Sequence, residues 1–417
     1  MPPLTGVRKV VYQAYRGLPG PVRALPETLL RARAQTRVRR QPWFAEEPTD
    51  RWLLGPLNTA GQADAWAAAA RRHAGVQALS LSVGRIAAGA GTYGYRTDVH
   101  LDRAMQLRGA TSHRERVLGL RGPGATAVVA ESGRPVLGSF FARTILDDLP
   151  ELDAAGIRTV LLAHGSELRD LHAHAAAYPF SPFRGEWDER WTQLQVAVGR
   201  TRDLVAASGL PVLVSTPDLL DAVPGARLLP LVVEVDRLVG AAEAAGVRPL
   251  ERRRPVVLHA PSNPLLKGTA VVEEVLGGLA AAGLVDYRRI SGVPHARMAD
   301  LLADAAVVVD QVVLGNPGVL VAEALAAGRV VLAHLSPEVR SRMRQADGTG
   351  AQVPVVEADA GSLEQVLHEV LADRGPVQEL AAQGPAWARR HHDGHRAAEV
   401  LSEVLGATSG GAGAPPG

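Results

Sequence analysis

The chain runs to 417 residues, enough for two or three domains, and its 47% apolar content is ordinary for a protein that buries a core. It holds no cysteine, which excludes disulfides and thiolate chemistry, and no apolar run reaches the roughly 18 residues that a transmembrane helix needs. Net charge is only +2, but nine basic residues from Arg8 to Arg40 face one acid, Glu27, so residues 1–42 carry +8 and residues 43–417 carry −6.

The opening stretch lacks the apolar region and small-residue cleavage site of a secretory signal, so a cytoplasmic location is expected, free or peripheral on the inner face of the plasma membrane. Residues 1–47 read as a basic arm. Pro and Gly interrupt any long amphipathic helix there, so it is expected as a partly disordered segment or as a contact to anionic lipid, where each basic residue contributes about 1 kcal/mol. No aromatic-rich basic groove accompanies it, so nucleic acid is not an expected partner.

Short β-type runs then alternate with helical stretches, the pattern of βαβ units and parallel sheets. Strands are predicted at 51–54, 76–83, 126–130, 158–162, 212–215 and 227–231. An alanine-rich helix follows the first of them, and a charged helix is predicted near 186–206. Residues 48–235 form a first domain. A connector ends in the charge-rich ERRRP near 254. A second domain, 236–403, is predicted with strands at 256–259, 287–291, 306–309, 330–333 and 352–356 and helices at 269–282, 295–303, 318–327, 363–372 and 377–391. Residues 404–417 are Gly/Pro-rich and expected to be disordered. The simplest architecture is two Rossmann-like α/β domains facing across a cleft, with ligands outside the carboxyl ends of the strands.

Two segments of the second domain carry chemistry. In the first, a strand ending at His259 feeds Ser262, Asn263, Lys267, Gly268 and Thr269. Lys267 is one of only two lysines, and a lysine beside a helix N-terminus suits a phosphate. In the second, Asp310-Gln311 leads through Gly315 and Gly318 into a helix bearing Glu323, a carboxylate placed to accept bonds from ribose hydroxyls.

The order PSN–KGT–helix followed by DQ…G…G…EALA resembles the C-terminal domain of retaining glycosyltransferases of the B-type fold (GT-B), family 4-like, in a bacterial branch with DQ…G…G…EA. Three N-terminal stretches are similar to the same family: Gly55 to Gln62 through Asn58 and Gly61, His164-Gly165-Ser166-Glu167-Leu168-Arg169, and Thr216-Pro217-Asp218. The resemblance spans roughly residues 50–400. It implies transfer of a sugar, with retention, from a nucleotide-sugar donor to a glycan or lipid-linked acceptor in bacterial envelope polysaccharide or glycoconjugate synthesis. It further implies donor binding by Gly61, Ser262, Asn263, Lys267, Gly268, Gly315, Gly318 and Glu323, catalysis by His164, Lys267 and Glu323, and an acceptor side at Asn58, Gln62, Glu167 and Arg169. No cofactor or metal is expected, because preorganised donors stabilise the departing diphosphate. The chain departs from the family pattern at Ser262, where an arginine is usual, and at Gly315, where a first glutamate is usual. Arg85 or Arg297 would compensate for the lost arginine.

Rival readings are a nucleotide-sugar-binding protein without turnover, a sugar-nucleotide epimerase, and a dehydrogenase using Gly89–Gly94, a GxGxxG string that no helix-forming stretch follows. Asp147-Asp148 reads as helix surface. His391, His392 and His395 read as a solvated terminal helix rather than a metal site, and His172 and His174 likewise. Acceptor contacts are expected in 85–98 and 178–187, whose aromatics and arginines suit a sugar.

Overall fold

The computed structural model describes residues 20–84, 93–138, 143–347 and 352–406, with backbone alone for 20–26. Two parallel sheets organise the chain. The first holds β1 Arg51–Gly55, β2 Gln77–Val83, β3 Val99–Leu101, β4 Ala127–Glu131, β5 Arg158–Ala163, β6 Val212–Val214 and β7 Arg227–Leu228, in the order β3-β2-β1-β4-β5-β6-β7. The second holds β8 Val256–His259, β9 Asp286–Arg289, β10 Val307–Val309, β11 Val330–Ala333 and β12 Val356–Glu357, in the order β12-β11-β10-β8-β9. Every pairing is parallel.

Helices cover both faces of each sheet, so the central strands are continuous apolar runs rather than alternations. On the first sheet, Trp52, Leu54, Val129 and Leu162 pack to one side, and Leu53, Val128, Leu161 and Val214 to the other. On the second, Val257, Val307, Val309 and Leu332 oppose Leu258, Val308, Val331 and Ala333. Strand order reverses between β1 and β4 and again between β8 and β10. Those two switch points are where loops part to admit a ligand at the carboxyl ends of a parallel sheet.

Three regions differ from the sequence expectation. The arm is ordered as a 20-residue helix, Gly20–Arg39. Its buried Ala34 and Val38 seat it on the body, and Glu27 bonds Arg108 at 3.0 Å. Residues 1–19 and 407–417 lie outside the described residues. The last helix, His395–Leu405, falls within the range expected for the second domain but packs on the first sheet: Ala397, Val400, Leu401 and Leu405 join the cluster of Trp52 and Trp66. The final strand shrinks to Val356–Glu357, while β3 and the helices Arg103–Arg108 and Ala110–Val117 are additional. These pieces are short, so periodicity carries little signal for them.

Candidate functional site

The carboxyl end of β8 leads into a one-turn helix, Pro264–Lys267, whose first turn is capped by the Asn263 side chain accepting from the Leu266 N–H. Gly268, at φ +69°, ends that turn and starts the helix Thr269–Ala281. Lys267 is therefore the last residue of a short helix rather than the residue before a long one. Its ammonium crosses to the other side of the switch point. Nζ lies 2.5 Å from Asp310 Oδ1, at the end of β10, and Asp310 Oδ2 accepts from Gly318 N at 3.2 Å. Gly318 is the N-cap of the helix Val319–Ala326. A Cβ there would lie 2.8 Å from the lysine Nζ, so glycine keeps the ammonium against the helix end. One full and one partial positive charge thus converge at the helix end, where the Asp310 carboxylate bonds both and the ammonium keeps further protons for an anion.

Gln311 shapes the rest of this loop. Its Oε1 accepts from the N–H groups of Val313, Leu314 and Gly315 at 3.2, 2.7 and 3.2 Å, and its amide donates to the His334 carbonyl. The Asp-Gln pair divides the work: the acid holds the lysine and the amide holds the loop. Asp310 and Gln311 were visible as a motif, but no role for either was legible before the fold was known. Asn316, in the same loop, is buried, and among the described residues its Oδ1 has no partner. Ser262 and Asn263 are exposed at the rim.

Glu323 is buried one turn inside the helix Val319–Ala326 and faces His295, with Oε1 2.5 Å from Nε2. The hydrogen bond that this carboxylate accepts raises the imidazole above its ordinary pKa against the pull of burial. Tyr95 reaches His295 from the first domain, with ring centroids 5.0 Å apart. Burial, helped by the charge of Glu323, pushes the Tyr95 hydroxyl up to about 12. The same ring lies on Gly61, where a Cβ would come within 2.6 Å of Tyr95 Cδ1. Tyr95 falls within 85–98, whose aromatics are expected on the acceptor side; His295 was not picked out from sequence, because its partners lie far away along the chain.

The facing switch point centres on Glu131, the last residue of β4, fully buried. Its Oε2 accepts from the N–H groups of Leu57 and Asn58 at 2.8 and 2.7 Å, and its Oε1 lies 3.2 Å from His164 Nε2. His164 Nδ1 is 2.9 Å from Ser215 Oγ, and Trp66 lies parallel to its ring. Burial alone would raise the Glu131 carboxyl, but His164 and the two N–H groups hold it below its ordinary value. Burial alone would lower His164, but Glu131 holds it above. The result is a buried carboxylate–imidazole pair in which each partner favours the charged form of the other. Glu131 is a further site residue that sequence reading missed; its signal is an acid closing an apolar strand.

The expected acceptor-side residues are engaged within the protein. Asn58 donates to the Arg96 carbonyl at 2.7 Å. Gln62 exchanges two hydrogen bonds with the backbone of Val232. Glu167 bonds the Ser132 hydroxyl and the His164 N–H. Arg169 folds over Gly165 onto Asp218 at 2.7 Å. Aromatics of 178–187 are likewise occupied: Trp187 stacks on His172 at 4.1 Å, and Phe183 packs edge-on to Trp191. His174 is not a solvated histidine. It is buried, takes the Ser181 hydroxyl on Nδ1 at 2.7 Å and donates from Nε2 to the Leu314 carbonyl at 3.0 Å, across the cleft.

Other expectations change too. Asp148 is buried, not on the surface, because its Oδ2 accepts the N–H groups of Val136 and Leu137 at 2.6 and 2.8 Å. Arg297 is exposed and turned to Asp300 at 3.3 Å, away from Lys267. Arg85 and most of Gly89–Gly94 lie outside the described residues. His392 is not solvated either: it bonds the Leu231 carbonyl at 2.8 Å, and burial takes it down to about 4. His395 faces His73 at 3.0 Å. Among the described residues, no group of three or more His, Asp or Glu is arranged to hold a metal ion, and no helix is long and apolar enough to cross a membrane.

Set beside known proteins, the chain matches no family model and no curated sequence. Solved structures do match. Sucrose-phosphate synthase from Thermosynechococcus elongatus is 12% identical, with a TM-score of 0.54 over 85% of this chain and 98% of that one. A glycosyltransferase from Rickettsia africae is 10% identical, with a TM-score of 0.50 over 88% and 100%. The chain has the GT-B fold. A UDP-N-acetylglucosamine 2-epimerase also aligns, at 11% identity and a TM-score of 0.41 over 88% and 98%. In a GT-B frame the two switch points face each other, with Lys267 and Glu323 on one side and Glu131 and His164 on the other.

Proposed function

We propose that this chain is a glycosyltransferase that takes a sugar from a nucleotide-sugar bound at Lys267, Gly318 and Glu323. The observation that carries the reading is the Lys267 ammonium held by Asp310 against the N-cap of a helix whose next turn carries a buried carboxylate. A diphosphate fits the first feature and a ribose diol the second. In the reaction an acceptor oxygen bonds to the anomeric carbon and the carbon–oxygen bond to the diphosphate breaks. The nucleoside diphosphate leaves with the electron pair, and the acceptor proton passes to a departing phosphate oxygen. Lys267, whose ammonium keeps protons beyond the one it gives Asp310, stabilises the charge that develops there. The Glu131–His164 pair lies opposite.

Retention of configuration, a glycan or lipid-linked acceptor and a role in bacterial envelope synthesis extend this reading from the resemblance at Lys267 and Glu323. Independence from metal rests on the same cationic helix end. Contact with anionic lipid is supported by Leu29 and Leu30, exposed beside Arg31 and Arg33 on the first helix. A chain lacking residues 1–42 would then partition less to anionic vesicles.

The test is nucleotide release from a panel of UDP-, GDP-, ADP- and TDP-sugars, with membrane extract as acceptor and Lys267→Ala and Glu323→Gln in parallel. Donor-specific release that both variants lose supports transfer; binding without release points to a protein without turnover. A second reading, isomerisation of the sugar while it stays on the nucleotide, is favoured by one feature, the acid–base pair Glu131–His164. It requires a changed sugar with no nucleotide released.

A further inference from the structure

Beyond the donor side lies a cavity of about 630 Å3 between the two domains, within the roughly 300–1,000 Å3 typical of a small-molecule site. Its wall carries six arginines: Arg227 from the first domain, and Arg340, Arg342, Arg344, Arg390 and Arg396 from the second half of the chain. Among the described residues no Asp or Glu lines it. Four of the six lean on acids outside the wall: Arg227 on Glu403, Arg340 on Glu357, Arg342 on Asp221 and Arg396 on Glu399. Arg344 and Arg390 have no carboxylate partner among the described residues.

Leu220, Leu228, Leu231, Val321, Met343 and Trp387 supply an apolar part of the lining, beside the polar Gln345, Gln352, His391 and His392. Water screens charge poorly over such a surface, and guanidinium forks match phosphate oxygens bidentately. The cavity also has a direction. Pro317 and Gly318 line it, and Gly318 is the residue against which Lys267 rests; Ser215 lines it as well and is the partner of His164. One end therefore opens on the place where the donor diphosphate would break.

We propose that this cavity holds the acceptor, and that the acceptor is a phosphate-bearing amphiphile: its anionic group on Arg344 and Arg390, its hydrocarbon body on Met343, Leu228 and Trp387. The assignment of the occupant as acceptor rests on the glycosyltransferase reading; the binding chemistry does not. An amphiphile of this class has one end to glycosylate and one end to anchor. The cavity has a reactive mouth and a cationic apolar interior to match. Departures from the family pattern at Ser262 and Gly315 concern the donor and leave this wall untouched.

The experiment measures binding to the full chain by calorimetry with three probes: decyl phosphate, a hexose phosphate and decanol. Decyl phosphate is expected to saturate one site, with the other two weaker by about tenfold or more. Arg344→Glu/Arg390→Glu is expected to weaken decyl phosphate by about tenfold or more, Arg344→Lys/Arg390→Lys by less, and Met343→Asp to weaken decyl phosphate but not hexose phosphate. Melting curves of each variant establish that it folds. Decyl phosphate bound equally well by the charge-reversed chain, or decanol bound as tightly as decyl phosphate, would overturn the proposal. Hexose phosphate bound as tightly as decyl phosphate would overturn its apolar half and assign a water-soluble phosphate instead. Nucleoside diphosphate is titrated separately: a chain that takes decyl phosphate but no nucleotide refutes the donor reading, not this one.

Discussion

Lys267 and Asp310 illustrate how one ion pair can serve both stability and binding. Asp310 is 1% exposed and Lys267 15%. Cutting the lysine back to alanine leaves a buried carboxylate held only by the Gly318 N–H, a change of the kind that costs about 3–5 kcal/mol. Lys267→Ala should therefore lose about 3 kcal/mol in denaturant unfolding as well as its nucleotide affinity. Lys267→Ala/Asp310→Asn removes both charges. It should recover most of that stability and none of the affinity, so unfolding and nucleotide titration together separate the two roles. The Glu131–His164 pair makes a different prediction, in pH. His164 sits above 6.5 because of Glu131, so its contribution to stability is full below pH 6.5 and is lost as pH rises through its folded value. Glu131 sits below 4.5, so its contribution is full above pH 4.5 and is lost as pH falls through its folded value. The pair stabilises most between those limits. In Glu131→Gln burial acts on the imidazole against only the weaker pull of Glu167, and the His164 resonance should titrate below 6.5 by NMR; a midpoint still above 6.5 would show that Glu131 is not its main cause.

At the scale of the element, the helix Val319–Ala326 is the piece on which the donor site depends. Gly318 before it has φ −97° and needs no glycine for backbone reasons. Its smallness serves the close approach of Lys267. Gly318→Ala should thus leave the melting temperature nearly unchanged while pushing the ammonium off the helix end. Nucleoside diphosphate affinity should then fall by about tenfold, the worth of one weakened charged hydrogen bond. A large drop in melting temperature would contradict this reading. The strands around this helix were legible because burial on both faces writes them as unbroken Val-Leu-Ala runs, as at Val307–Val309 and Val330–Ala333. Lys267, Gly318 and Glu323 were legible for a local reason as well: glycine and charge punctuate a strand–loop–helix boundary. Their partners were not. Asp310 meets Lys267 from 43 residues away, and His295 meets Glu323 from 28. Asp148 looked like surface because its neighbours Asp147 and Glu151 are acidic; the N–H groups that bury it come from Val136 and Leu137, a separate segment. Periodicity reports which face of an element is covered, not which distant residue covers it.

Over the whole molecule, the chain crosses between the two sheets twice, and the crossings are laced together. Val233 N donates to the His392 carbonyl, and His392 bonds the Leu231 carbonyl. Gln62 holds Val232 between them. The last helix then returns to the first sheet, so the first domain is built from both ends of the chain. These ties fix one edge of the cleft, and the mouth is closed by a smaller set. His174 donates to the Leu314 carbonyl, and Tyr178 donates to Ser336 Oγ at 3.1 Å, while the Ser336 N–H reaches Gly315. The first contact ends on the loop that Gln311 shapes beside Lys267, and the second on Ser336, which is bonded to that loop at Gly315. Burial keeps His174 below its ordinary pKa, so at neutral pH the ring is uncharged, with its single proton on Nε2 for Leu314 and Nδ1 free to accept from Ser181. His174→Ala removes the bond without altering Lys267, Glu323, Glu131 or His164. A hydrogen bond of this kind contributes about 1 kcal/mol, so donor affinity should fall by about fivefold, and small-angle scattering should show a larger radius for the variant than for the native chain. Adding nucleoside diphosphate in excess should restore the compact radius, because ligand that binds only the closed form draws the population to it. A variant as compact as the native chain, with unchanged affinity, would place the control of closure in the Tyr178 contact or in the laced crossings instead.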